Sequence, residues 1–165
     1  MKALDPAAIL RSLVDTDVRF VLIGGMAAIF LGSTSVTQDL DICYGRDKEN
    51  LERLAAVLRA LSARPRGRDR TLPWVPDAQT LRNGANFTLE TSAGPLDCLA
   101  ELSGGFNYAS LVANATMEHF EGMEIPVVSL DDLIRTKRAA GRPKDLIEVE
   151  NLAALREVRD RRRLR

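Results

Sequence analysis

Histidine and cysteine are almost missing from this chain of 165 residues: His119 is the single histidine, and Cys43 and Cys98 are the only thiols. No Ser-His-Asp or Cys-His arrangement for covalent catalysis is visible, and His119, in a hairpin, reads as a surface residue. Both cysteines lie in apolar, strand-like segments, which reads as reduced core thiols rather than a disulfide framework. Net charge is also missing, since 23 Lys and Arg balance 23 Asp and Glu. The molecule therefore has no bulk pull toward nucleic acid or membrane, and any such affinity must come from local patches. No apolar run approaches membrane-spanning length, Met1-Lys2-Ala3-Leu4-Asp5 shows no signal peptide, and the cytoplasm is the default location. There are no internal repeats. What the chain does have is 45% hydrophobic residues, enough for one well-buried domain over 1–165, with a core at about 15–130 and C-terminal helices at about 129–160.

Punctuation and periodicity place the elements. Asp5-Pro6 opens a helix that runs to Leu13-Val14. The β-branched and aromatic run from Val18 to Ile23 reads as a buried strand, followed by a short helix from Met26 to Phe30. Asp47 caps a helix whose Leu51, Leu54, Leu58 and Leu61 form a core-facing stripe. Arg64-Pro65-Arg66-Gly67 breaks it. Asn86 to Glu90 and Leu96 to Leu102 read as two strands joined at Ala93-Gly94, and Glu118 to Val128 as a hairpin turning at Glu121-Gly122. Ser129 caps a further helix, and Pro143 opens another that runs past Leu155.

The most informative pattern is Ile23-Gly24-Gly25, then residues 26–38, then Asp39-Leu40-Asp41-Ile42. Strand alternation puts Asp39 and Asp41 on one face while Leu40 and Ile42 point into the core. Two carboxylates side by side repel unless something positive sits between them, and a hard divalent cation is the natural occupant. Gly24 and Gly25, lacking Cβ atoms, let backbone N–H groups approach a phosphate closely, the more so if a short helix starts at Met26. A third acid, Asp97, lies in Gly94-Pro95-Leu96-Asp97-Cys98-Leu99 on the face opposite Leu96 and Cys98. A carboxylate in so apolar a strand needs a partner or a metal; a solvent-facing Asp97 is the alternative, and Glu101 the fallback ligand. If the three aspartates share cations, their carboxylates converge to about 4–6 Å.

On the glycine pair and the Asp-Leu-Asp, the chain resembles the nucleotidyltransferase superfamily, in which an apolar residue and Gly-Gly or Gly-Ser precede, after a spacer, Asp-apolar-Asp. Leu133 to Leu146, with Lys137, Arg142, Lys144 and Asp145, and then Glu148, resembles the branch of small bacterial AbiEii-type, abortive-infection toxin-like enzymes. The resemblance implies an α/β (α+β) nucleotidyltransferase fold: a mixed β-sheet with flanking helices and a short C-terminal helical extension. It implies Asp39, Asp41 and Asp97 as catalytic residues and ligands of Mg²⁺ or Mn²⁺. It further implies Gly24, Gly25, Ser33, Thr37, Lys137 and Lys144, with Arg142 as an additional candidate, as contacts to a nucleoside triphosphate, whose monophosphate passes to a hydroxyl acceptor. The alternative for Lys137 and its neighbours is a solvated basic helix face. One position departs from the branch, which commonly carries Arg where this chain has Ser35; a lost guanidinium removes a charged hydrogen bond of about 1.5–3 kcal/mol.

The acceptor is less determined. Arg59, Arg64, Arg66, Arg68 and Arg70 precede Trp74, and the tail carries Arg159, Arg161, Arg162, Arg163 and Arg165. Cations beside an aromatic suit an RNA acceptor, as in a toxin with a cognate antitoxin; a solvated loop and tail is the competing reading. A small-molecule acceptor of the aminoglycoside kind calls for an acidic cleft, and none is visible beyond the metal carboxylates. A catalytically silent binding or regulatory module on the same fold is the alternative to an enzyme, with Ser35 as its clue.

Overall fold

The computed structural model describes residues 2–69 and 71–164; Arg70 and Arg165 lie outside the described residues. Helix α1 (Pro6–Asp15) starts where Asp5 accepts a hydrogen bond from the Ala8 N–H at 3.0 Å. Strand β1 (Phe20–Ile23) is buried along its whole length, as its uninterrupted apolar run requires. Helix α2 (Gly24–Phe30) follows without a linker, beginning at Gly24 rather than at Met26. Strand β2 (Leu40–Tyr44) leads to α3 (Lys48–Ala60), capped by Asp47, with Leu51, Leu54 and Leu58 buried.

The middle of the chain corrects the sequence reading. Arg64-Pro65 forms a short strand, β3, rather than only a break. It pairs antiparallel with β4 (Asn86–Thr91) at the sheet edge, where the missing proline N–H costs no ladder bond. Helix α4 (Ala78–Asn83), capped by Asp77, intervenes. The predicted strand Leu96–Leu102 is two: β5 (Gly94–Leu99) and β6 (Glu101–Leu102). At the split the Asn86 side chain bridges the two strands: its Oδ1 accepts the Ala100 N–H at 2.9 Å, which the Ala85 carbonyl shares at 3.1 Å, and its Nδ2 donates to the Glu101 carbonyl at 3.1 Å. Glu101 thus sits in a small second sheet, β6 with β7 (Phe106–Asn107), and not on the strand of Asp97.

After α5 (Tyr108–Val112), the hairpin β8 (Thr116–Phe120) and β9 (Met123–Val127) turns at Glu121-Gly122, both with positive φ (48° and 77°), the two-residue geometry that matches strand twist. Ser129 caps α6 (Leu130–Ala140), Gly141 ends it in the left-handed conformation, and Pro143 opens α7 (Pro143–Arg163). The main sheet has the order β3-β4-β5-β2-β1-β9-β8 and is mixed. β2 and β5 run parallel, as do β1 and β9, while the other neighbours are antiparallel. Among the described residues no helix is long and apolar enough to cross a membrane. Cys43 and Cys98 are buried free thiols on adjacent strands.

Candidate active site

Strand register gathers the acids. Ile23 lies opposite Asp41 across β1 and β2, and Asp41 lies opposite Asp97 across the parallel pair β2 and β5. Partners in a parallel pair project from the same face, so the two carboxylates are neighbours. Asp39, one residue before β2, shares that face, while Leu40 and Ile42 are fully buried behind it. One carboxylate oxygen from each of Asp39, Asp41 and Asp97 lies within 4.8 Å of the others. Thr37 fixes the first of them, its hydroxyl donating to Asp39 Oδ1 at 2.9 Å. The glycines make room for this cluster. Gly24 has φ +67°, and a Cβ there would lie 2.8 Å from Asp41 Cγ; a Cβ on Gly25 would lie 2.8 Å from Thr37 Oγ1. Gly24 therefore makes room for the Asp41 carboxylate itself, and Gly25 for the Thr37 that holds Asp39, a role the phosphate argument alone does not reveal.

Crowding sets the electrostatics. Burial, then the charges of Asp39 and Asp97, push Asp41 up to about 7, with Lys137 and Arg66 opposing. Asp97 is also raised, by burial first, although Arg66 pulls against it. A site that drives a carboxyl toward neutrality lacks a positive charge. Arg66 supplies part of it: Nη2 donates to Asp97 Oδ1 at 2.8 Å and to the Leu89 carbonyl at 3.2 Å. Sequence reasoning counted Arg66 among the loop arginines and missed this pairing. The available signal was the demand that a buried Asp97 be paired; nothing in the sequence singles out which cation answers it.

Facing the acids is the junction of α6 and α7. Lys137 donates to Glu148, and Arg142 grips Asp145 through Nε at 2.6 Å and Nη2 at 3.2 Å. Burial works to raise Asp145, but the Arg142 hydrogen bonds and charge, with Lys137, hold it below the usual carboxylate range. Between the two walls lies a cleft of about 430 Å³, lined by Gly24, Gly25, Ser35, Thr37, the three aspartates, Lys137, Arg142 and Lys144. A second cleft, about 360 Å³, shares Gly24, Asp41, Lys137 and Arg142 and extends over Leu99, Glu101, Leu102 and Leu133. A larger hollow of about 530 Å³ beside Arg64, Arg68 and Trp74 contains none of the three aspartates.

Several candidates stand elsewhere. Ser33 does not line the aspartate clefts; its hydroxyl is 2.7 Å from that of Ser35. Glu101 lines the second cleft but is not in the carboxylate cluster. His119 is exposed at the hairpin, 3.7 Å from Glu124. The basic patches are partly turned inward: Arg59 donates to the Pro76 carbonyl, and Arg159 to that of Leu31, pinning α7 to the end of α2.

No protein-family model matches the chain, and no curated protein matches it in sequence. Solved structures do match in shape. The lincosamide antibiotic adenylyltransferase LnuA, solved with lincomycin bound, is similar at TM-score 0.61 and 15% identity over 93% of this chain and 99% of its own. The antibiotic-resistance factor ANT(2″)-Ia, in its complex with adenylyl-2″-tobramycin, is similar at TM-score 0.54 and 19% identity over 93% of this chain and 94% of its own. TM1012 from Thermotoga maritima, described as a candidate nucleotidyltransferase, is similar at TM-score 0.51 and 19% identity over 96% of both chains. The chain therefore has the nucleotidyltransferase fold, a mixed sheet with flanking helices.

Proposed function

We propose that the chain is a metal-dependent nucleotidyltransferase that moves a nucleoside monophosphate from a nucleoside triphosphate to a hydroxyl acceptor. The observation that carries this reading is the convergence of Asp39, Asp41 and Asp97 within 4.8 Å at the mouth of the Gly24-Gly25 turn. Three oxygen donors with too little positive charge among them fit Mg²⁺ or Mn²⁺. Bound there, the metal would neutralise charge on the phosphate oxygens and favour in-line displacement. Lys137, Arg142 and Lys144 would orient the triphosphate from the opposite wall. Val36, 92% exposed, and Ile147, 64% exposed, flank the same cleft and offer apolar faces to a nucleobase.

Asp97 would take the proton from the acceptor hydroxyl. The acceptor oxygen then bonds to the α-phosphorus as the bond to pyrophosphate breaks, and pyrophosphate leaves with the electron pair. No covalent enzyme intermediate is needed, since positioning and charge neutralisation supply most of the rate.

For the acceptor we favour a small hydroxylated molecule in the second cleft. Its lining combines Glu101 with Leu99, Leu102 and Leu133, and two similar structures hold lincomycin and adenylylated tobramycin. An RNA acceptor and a toxin role rest on the arginine-rich loop and tail and on the resemblance to abortive-infection enzymes, which no similar structure supports, and Arg59, Arg66 and Arg159 are committed to internal partners. The test is incubation with each labelled triphosphate, Mg²⁺ and either small hydroxylated acceptors or total RNA. Label on a small molecule with release of pyrophosphate is expected. No nucleotide binding by calorimetry and no transfer to any acceptor would leave a silent module, with Ser35 the first residue to blame.

A further inference from the structure

We propose that Arg66 is a positioning residue: its guanidinium is the protein's own counter-charge for the aspartate cluster, holding Asp97 by one oxygen and restraining how tightly the cluster binds a cation. The inference deepens the transferase reading and rests on it only for its catalytic half. Arg66 reaches the site from the edge strand, its backbone N–H bonded to the Thr88 carbonyl at 2.9 Å, and Thr88 is the register partner of Asp97 across β4 and β5. The pair is largely enclosed, with side chains 29% and 15% exposed. A charged hydrogen bond so placed is stronger than a surface ion pair.

The guanidinium is also incompletely satisfied. Arg66 Nε is buried and has no acceptor, although Nη2 beside it donates to both Asp97 and the Leu89 carbonyl. Arg142 uses the corresponding two nitrogens together on Asp145. Arg66 is therefore one donor short of the bidentate grip that would take both Asp97 oxygens, and Asp97 keeps one oxygen for the cluster. A full grip would bury Asp97 as a structural ion pair. The half grip fixes its direction and leaves it available to a proton or a metal.

The two effects predict opposite signs on removal. Arg66→Gln removes the charge and shortens the side chain, keeping only an amide donor, and Arg66→Lys keeps the charge but loses the planar fork. With Mn²⁺ as the probe, Arg66→Gln should tighten Mn²⁺ binding by about tenfold, because one repelling charge is gone. Nucleotide transfer should fall by about tenfold or more through kcat, with KM for the triphosphate little changed, and Arg66→Lys should recover part of it. Mn²⁺ affinity and kcat both unchanged in Arg66→Gln, or both lowered together and not improved in Arg66→Lys, would overturn the proposal. If the native chain transfers nothing while Arg66→Gln still tightens Mn²⁺, the transferase reading fails and the counter-charge role stands.

Discussion

The two walls of the candidate site handle charge in opposite ways. On the sheet wall three carboxylates crowd around one half-engaged arginine, and Asp41 is pushed up to about 7 by burial and then by the charges of Asp39 and Asp97. On the helix wall cations have acids of their own: Lys137 is matched to Glu148, and Arg142 to Asp145. The sheet wall is built to receive positive charge. On the helix wall Lys137 and Arg142 are already matched, so under the proposed function they would have to leave their own partners to serve a phosphate.

The contrast is broken most severely at Asp41. Asp41→Asn should reduce transfer by about a thousandfold or more, as loss of a metal-ligand charge does, while the metal-free fold stays intact or gains slightly from relieved repulsion. Melting curves with and without Mg²⁺, run beside transfer assays, check both halves; undiminished activity would remove Asp41 from the mechanism. The next effect is on pH. The folded chain keeps on Asp41 a proton that the unfolded chain, titrating near 3.8, has already lost. The Asp41 contribution to metal-free stability should therefore be fully present below that value and be lost, by a few kcal/mol, as pH climbs toward 7. Mg²⁺ requires the ionised carboxylate, so its stabilisation should grow across the same window. In chelator, a melting temperature that shows the same pH dependence in the native chain and in Asp41→Asn would contradict the assignment.

On the helix wall the effects are smaller. Lys137→Ala should weaken triphosphate binding by about tenfold, and Glu148→Gln, which releases Lys137, should strengthen it by several-fold, both read by calorimetry with Mg²⁺. Ser35→Arg comes last. Ser35 lines the cleft and bonds Ser33, so a guanidinium there can tighten nucleotide binding by at most about 1.5–3 kcal/mol, and only where it meets phosphate squarely.

The sheet wall was largely legible in the sequence because its logic is local. A strand period of two puts Asp39 and Asp41 together, and an apolar strand that carries Asp97 must hold it for a reason. The caps at Asp5, Asp47 and Ser129 and the turn at Glu121-Gly122 were legible on the same grounds. What escaped depends on contacts across the chain. Arg66 meets Asp97 over thirty-one residues, by way of a two-residue edge strand too short for any periodicity. The division of Leu96–Leu102 falls where the Asn86 amide, from the neighbouring strand, bonds Ala100 and Glu101. Helices α4 and α5 are single turns or little more, whose cap signals at Asp77 and Asn107 were present but lacked an amphipathic run to support them.

The burial of both thiols has a practical consequence. Cys43 and Cys98 are fully enclosed between strands, and burial pushes the Cys43 thiol up to about 12, so neither offers thiolate to a reagent in neutral solution. The chain is thus already a silent background for thiol labelling. A cysteine placed at Val36, which stands almost wholly in solvent at the lip of the cleft, would accept a fluorophore alone, and its emission would report a triphosphate entering between the walls in real time.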